Sequence, residues 1–165
     1  MRNAVQWLLV TAVAFEGLRA GAGTFRMLID LPARGAIGPV AFAAFSRATD
    51  LSAVGVPFYI VYGVGGALLT LATWAAALRA GARRELVALT GLSALCSAAI
   101  LVLTTQAAPL MFAVCNSPDD PQRLSQLLDA FTIWTNWRIG LADLSFVCVL
   151  IALARWRGAG EGQRS

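Results

Sequence analysis

The sequence predicts an all-α protein: a four-transmembrane-helix bundle with structured outer loops and both termini cytoplasmic. Three observations lead there. Hydrophobic residues make up 58% of the 165-residue chain and charged residues 13%, about half the charge of a soluble domain. Four apolar runs, residues 4–25, 52–78, 86–112 and 133–154, are each long enough to cross a hydrocarbon core about 30 Å thick as a helix. The runs are continuous and rich in alanine and leucine rather than alternating, which selects helices over barrel strands.

Four spans and their connections use nearly all of the chain, so residues 1–157 form one integral membrane domain and residues 158–165, "GAGEGQRS", a disordered cytoplasmic tail. The first run also fits the outline of a secretory signal peptide, with Arg2, an apolar stretch and the small residues Ala20 to Gly23. Glu16 and Arg19 inside it, and its continuation towards Leu28, favour a span.

Arginine supplies all 13 basic residues, and the formal net charge is +4. Seven arginines (Arg2, Arg79, Arg83, Arg84, Arg155, Arg157 and Arg164) fall on the side of the termini, and four (Arg26, Arg34, Arg47 and Arg123) on the other. The positive-inside rule then places both termini in the cytoplasm. Such scattered charge suits orientation and lipid headgroups, not a nucleic-acid partner. Lysine-free basicity is compatible with a GC-rich bacterial genome and so with a bacterial cytoplasmic membrane. Histidine is absent, which removes the commonest ligand of catalytic metals and the usual base near neutral pH. The cysteines Cys96, Cys115 and Cys148 have no CxxC spacing, and the two in apolar runs read as small hydrophobes. No metal and no cofactor is expected.

The first outer loop, "LIDLPARGAIGPVAFAAFSRATDLS", carries Pro32, Gly35, Gly38 and Pro39, which are expected to break the chain after the first span. Val40, Phe42 and Phe45 with Arg47 then suit a short segment that lies at the interface or leads into the second helix, so that the loop has the form of a lid. In the second outer loop Asp119 or Asp120 can cap a helix with Pro121 in its first turn. Leu124, Leu127, Leu128 and Phe131 repeat there at helical spacing, and this helix is expected to run on, or bend, into the fourth span.

The spans contain ionisable residues, which cost about 2.5–3.5 kcal/mol each near a bilayer centre on insertion scales. Glu16, Arg19, Gly23 and Arg26 fall along one side of the first helix, and Gly17 and Gly21 form a GxxxG that lets another helix approach. The fourth helix carries Arg138 and Asp143, with Asn136 in line with the latter. At about 1.5 Å per residue, Glu16 and Asp143 both lie about 18 Å above the inner boundary, Arg19 about 22 Å and Arg138 about 25 Å. Tyr59 and Tyr62 of the second helix enter the same half. A neutral polar cluster is therefore expected. Either Glu16 pairs with Arg138 and Arg19 with Asp143, or each helix pairs its own charges. Such a cluster serves as polar glue between helices or as a ligand or catalytic site.

The stretch "IWTNWRIG", Ile133 to Gly140, resembles the anthrone oxygenase-like family of small four-helix membrane proteins, as do the glycine-rich first helix and the proline-containing outer loop. Asn116 in the third connection and the grouping of Trp134, Asn136 and Arg138 stand where that family places such residues. The resemblance implies oxidation of polyketide anthrones to anthraquinones with molecular oxygen and without a metal or flavin. Glu16 or Asp143 would take a proton from the acidic carbon, and Arg19 and Arg138 would stabilise the enolate. Trp134, Trp137, Tyr59 and Tyr62, with Asn136, would hold a small aromatic ligand. Two other classes stand beside this one. The first is a structural or accessory membrane subunit, a homo-oligomer being compatible with it. The second is a small proton-coupled exporter, in which a membrane glutamate alternates between proton and cation.

Overall fold

The computed structural model describes residues 2–161, and all its regular elements are helices: α1 (Arg2–Phe25), a π turn (Arg26–Asp30), α2 (Leu31–Ile37), α3 (Pro39–Ala48), α4 (Gly55–Arg79), α5 (Arg84–Asn116) and α6 (Pro121–Glu161). Four helical stretches, Asn3–Ile37, Gly55–Arg79, Arg84–Asn116 and Pro121–Trp156, are long and apolar enough to cross a membrane. The protein is a polytopic membrane protein with an all-α fold. The expected tail from residue 158 begins as helical backbone through Glu161, and its remainder, 162–165, lies outside the described residues.

The spans form a closed ring in which α1 touches α4 and α6, α4 touches α5, and α5 touches α6. The start of α1 meets the start of α5 and the later part of α6 at one end of the bundle, where Val5, Leu9, Leu86 and Ala152 form a small core. At the opposite end, the lid end, Phe42 and Ala43 of α3 pack with Ala107, Met111 and Val114 of α5 and with Leu124, Leu128 and Phe131 of α6. Large apolar side chains coat the outside, among them Leu18, Leu68, Leu95 and Val102. The charged pair of α1, by contrast, is buried inside the ring. This distribution fits a lipid solvent: apolar groups need no burial there, whereas charged groups must face one another.

One connection differs from expectation and the other follows it. The first helix does not break at Pro32; it continues to Ile37 through a π turn in which the Leu31 N–H bonds to the Arg26 carbonyl. A proline leaves the carbonyl four residues back without its partner, and the wider i→i+5 turn immediately before Pro32 accommodates that loss. The break falls instead at Gly38, with φ 82° and ψ 162°, a region open in practice to glycine alone. Asp120 is the cap of α6: its Oδ1 accepts from the Gln122 N–H at 2.9 Å, and Pro121 follows at once. From there α6 runs unbroken for 41 residues, about 60 Å at 1.5 Å per residue.

The lid is fastened. Arg47 donates to Asp119 Oδ1 (2.9 Å) and to the Val114 and Ser117 carbonyls (3.1 and 3.0 Å), so α3 closes the carbonyl end of α5. Arg34 of α2 pairs with Asp129 of α6. Replacing Gly38 by alanine is expected to lower stability by about 1–3 kcal/mol, read as a lower thermal midpoint of the detergent-solubilised protein. An unchanged midpoint would show that this corner accepts a side chain.

Candidate functional site

Glu16 has no exposed surface and Arg19 retains 6%. They sit three residues apart on α1, with Arg19 Nη2 2.6 Å from Glu16 Oε2. This is an ion pair in direct contact, without the angles of a hydrogen bond for either carboxylate oxygen. The same Nη2 donates to Ser97 Oγ of α5 at 2.9 Å, reaching across the bundle axis. Ser145 Oγ of α6 lies 2.8 Å from Ser93 Oγ and 3.4 Å from Ser97 Oγ. Gly66 of α4 completes the enclosure: a Cβ there would stand 2.8 Å from Arg19 Nη1 and 3.2 Å from Glu16 Oε1. All four spans thus meet at this pair.

The cross-helix pairs considered for these charges are not formed. Within α1 the charges pair as the alternative had it, but within α6 they do not. Asp143 accepts from Thr24 Oγ1 of α1 at 3.3 Å, while Arg138 makes no side-chain hydrogen bond or ion pair among the described residues, and its Nε is buried without a partner. The reason is helical phase. An i,i+3 spacing puts Glu16 and Arg19 on one face, whereas five residues, about 500° of rotation, carry Arg138 and Asp143 to different faces. The GxxxG is also divided: a Cβ at Gly17 would meet the Phe146 ring at 3.0 Å, while Gly21 has nothing within 4 Å.

A second charged group lies nearer the lid. Arg26, at the start of the π turn, holds Asp50 in a two-pronged pair, with Nη1 donating to Oδ1 at 2.9 Å and Nη2 engaging Oδ2. The Tyr59 hydroxyl donates to Asp50 Oδ1 (2.9 Å) and accepts from Arg26 Nη1 (3.1 Å). The guanidinium also stands 5.6 Å from the centre of the Phe131 ring, within cation–π range. Asp50 has no counterpart in the sequence expectations. Its signal was an acid directly ahead of the second run and nine residues before Tyr59.

Between these two pairs is a cavity of about 410 Å³, within the size range of small-molecule sites. The half of α4 that borders it is little buried. The buried residues of α4 are Gly66, Thr70, Thr73 and Ala77, and none precedes Gly66. Phe58 and Tyr62, stacked at 5.1 Å, line one wall, with Tyr59 beside them. From α6 the lining residues are Phe131, Thr135, Arg138, Ile139 and Ala142, a 3.6-residue rhythm that turns the intervening positions away. Accordingly Asn136 and Trp137 are exposed, and Trp134 packs into the lid-end core. Of the residues singled out in the sequence, Arg19, Arg138, Tyr59 and Tyr62 line the cavity, and Glu16, Asp143, Trp134, Asn136 and Trp137 do not.

The charge balance of this space is uneven. Three arginines line it, Arg19, Arg26 and Arg138; Glu16 answers the first and Asp50 the second. Arg138 has no carboxylate within 4 Å among the described residues. The Tyr62 and Thr135 hydroxyls are also buried without partners. Among the described residues no group of three metal-ligating side chains occurs, and the thiols of Cys96 and Cys148 are buried apart from the cavity lining.

Comparison of the chain with known protein families, curated proteins and solved structures finds no match.

A buried pair that loses one partner leaves an uncompensated charge. Glu16→Leu alone is therefore expected to cost about 3–5 kcal/mol, while Glu16→Leu with Arg19→Met recovers most of it. Denaturant titration of the solubilised variants measures both. If the double variant is as unstable as the single one, the pair is not what burial of these residues depends on.

Proposed function

We propose that this membrane protein binds a small, largely apolar and aromatic molecule in the cavity between α1, α4, α5 and α6 at the lid end. The observation that carries the reading is the cavity itself: aromatic and aliphatic walls, with a few polar groups whose hydrogen-bonding capacity the protein leaves unused. Buried polar groups are ordinarily satisfied, and a pocket that is mostly apolar with a few convergent polar groups is the usual form of a ligand site. The little-buried first half of α4 faces such a molecule with a thin wall towards the acyl chains, where an apolar ligand concentrates.

The resemblance to the anthrone oxygenase-like family supports a finer form of the proposal, oxygenation of an enolisable aromatic ketone. In that form the carbon acid gives its proton to a carboxylate, the carbon of the enolate, its charge held by arginine, bonds to dioxygen, and the peroxide takes the proton back and loses water to leave a carbonyl. The geometry favours binding over this step. Asp50 is the acid that lines the cavity, and Arg26 and Tyr59 engage both of its oxygens. Glu16 is sealed from the cavity surface. That same sealing counts against the exporter reading, in which the glutamate must meet solvent on alternate sides.

The binding proposal is tested with 9-(hydroxymethyl)anthracene and protein reconstituted in phosphatidylcholine nanodiscs. Saturable quenching of the tryptophan fluorescence is expected, and it is expected to disappear in Ala108→Trp, whose side chain fills the cavity from α5. Quenching that rises without saturation, or persists in the filled variant, overturns it. Dioxygen uptake with anthrone, lost in the same variant, would add the oxygenase step.

A further inference from the structure

The cavity carries more information than its apolar walls, because one of its three arginines is left without a counter-charge. Arg138 shares the space with Arg19 and Arg26, and each of those is matched by its own acid. A guanidinium cannot shed its charge in a protein, and no carboxylate of the described residues stands within 4 Å of Arg138, which leaves this position open to a counter-charge from a ligand. One turn earlier on α6, Thr135 is 5% exposed and its hydroxyl has no partner. At i,i+3 the two donors lie on the same face of the helix, and both line the cavity. The Tyr62 hydroxyl, also without a partner, lines it from α4. An aromatic body would rest against Phe58 and Tyr62 while its polar end met the donors on α6.

From this we infer that the ligand is a monoanionic amphiphile, an aromatic carboxylate or an enolate, whose charged end is held by Arg138 and Thr135. The inference rests on the binding reading and adds the ligand's charge. Two features of the surroundings fit a single charge. Only one of the three arginines that line the cavity lacks a carboxylate among the described residues, and a cavity of about 410 Å³ is too small for a phospholipid together with its acyl chains.

The test compares anthracene-9-carboxylate with the neutral 9-(hydroxymethyl)anthracene, using full-length protein in phosphatidylcholine nanodiscs. Each variant is read as the ratio of the two affinities, so differences in how the probes partition into lipid cancel. Arg138→Gln is expected to lower the preference for the carboxylate by about tenfold or more, and Thr135→Val by a smaller factor, since charge-assisted hydrogen bonds exceed neutral ones. Arg138→Gln is also expected to keep or raise the thermal midpoint, because it removes a charge with no partner; a guanidinium needed for folding would lower it. If both probes bind wild type saturably and the ratio is unmoved in Arg138→Gln, the anionic assignment falls while the binding reading stands. If neither probe binds saturably, the binding reading itself falls. Adding phosphatidylglycerol to the nanodiscs separates the source of the anion: displacement of the carboxylate probe by that lipid overturns the assignment to a small amphiphile and gives Arg138 to a lipid headgroup. Unchanged binding supports it.

Discussion

Two opposite charges on one helix, buried inside the ring, constrain everything else in the bundle. Glu16 and Arg19 neutralise each other across 2.6 Å, but an ion pair removed from water recovers its desolvation cost only when further hydrogen-bonding groups surround it. The other three spans supply that environment. Ser97 accepts from the guanidinium, Ser145 brings α6 to the same level, and α4 approaches closely because Gly66 has no side chain. The ring order of the helices follows from this convergence as much as from apolar packing, which between helices in lipid has no hydrophobic drive.

The lid end is organised by the same principle with a different balance. Arg26 and Asp50 form a pair that ties the π turn to the start of the second span, and Tyr59 closes the triangle. A π turn adds width at the place where a proline follows, and it also sets the arginine at the cavity rim. Farther up, Arg47 and Arg34 fix α3 and α2 to the ends of α5 and α6. Each of these arginines has an acid, whereas Arg138, alone among the three arginines that line the cavity, has no carboxylate within 4 Å among the described residues.

The four spans were legible because apolar runs of this length have few other solutions, and the Asp120 cap because an acid before proline at a helix start is a local signal. The buried state of Glu16 and Arg19 was legible from their depth and spacing. What the sequence did not reveal is which partners they take, since Ser93, Ser97 and Ser145 look like ordinary small residues within apolar runs. Helical phase explains the remaining differences. Trp134, Asn136 and Trp137 surround the cavity-facing positions 135 and 138 in sequence, yet turn away from them in space. The continuation past Pro32 depends on a π register that no residue pattern announces.

The bonding of the hydroxyls below Arg19 has a consequence for permeability. Thr70, Thr73 and Thr90 each donate to a carbonyl of their own helix, at 3.0, 2.7 and 2.8 Å, and beyond them Val5, Leu9, Leu86 and Ala152 form a dry plug. A chain of exchangeable protons must pass from one donor to the next across helices, and these turn back on themselves. These three hydroxyls therefore offer no cross-helix relay for a proton between the charged pair and that end of the bundle.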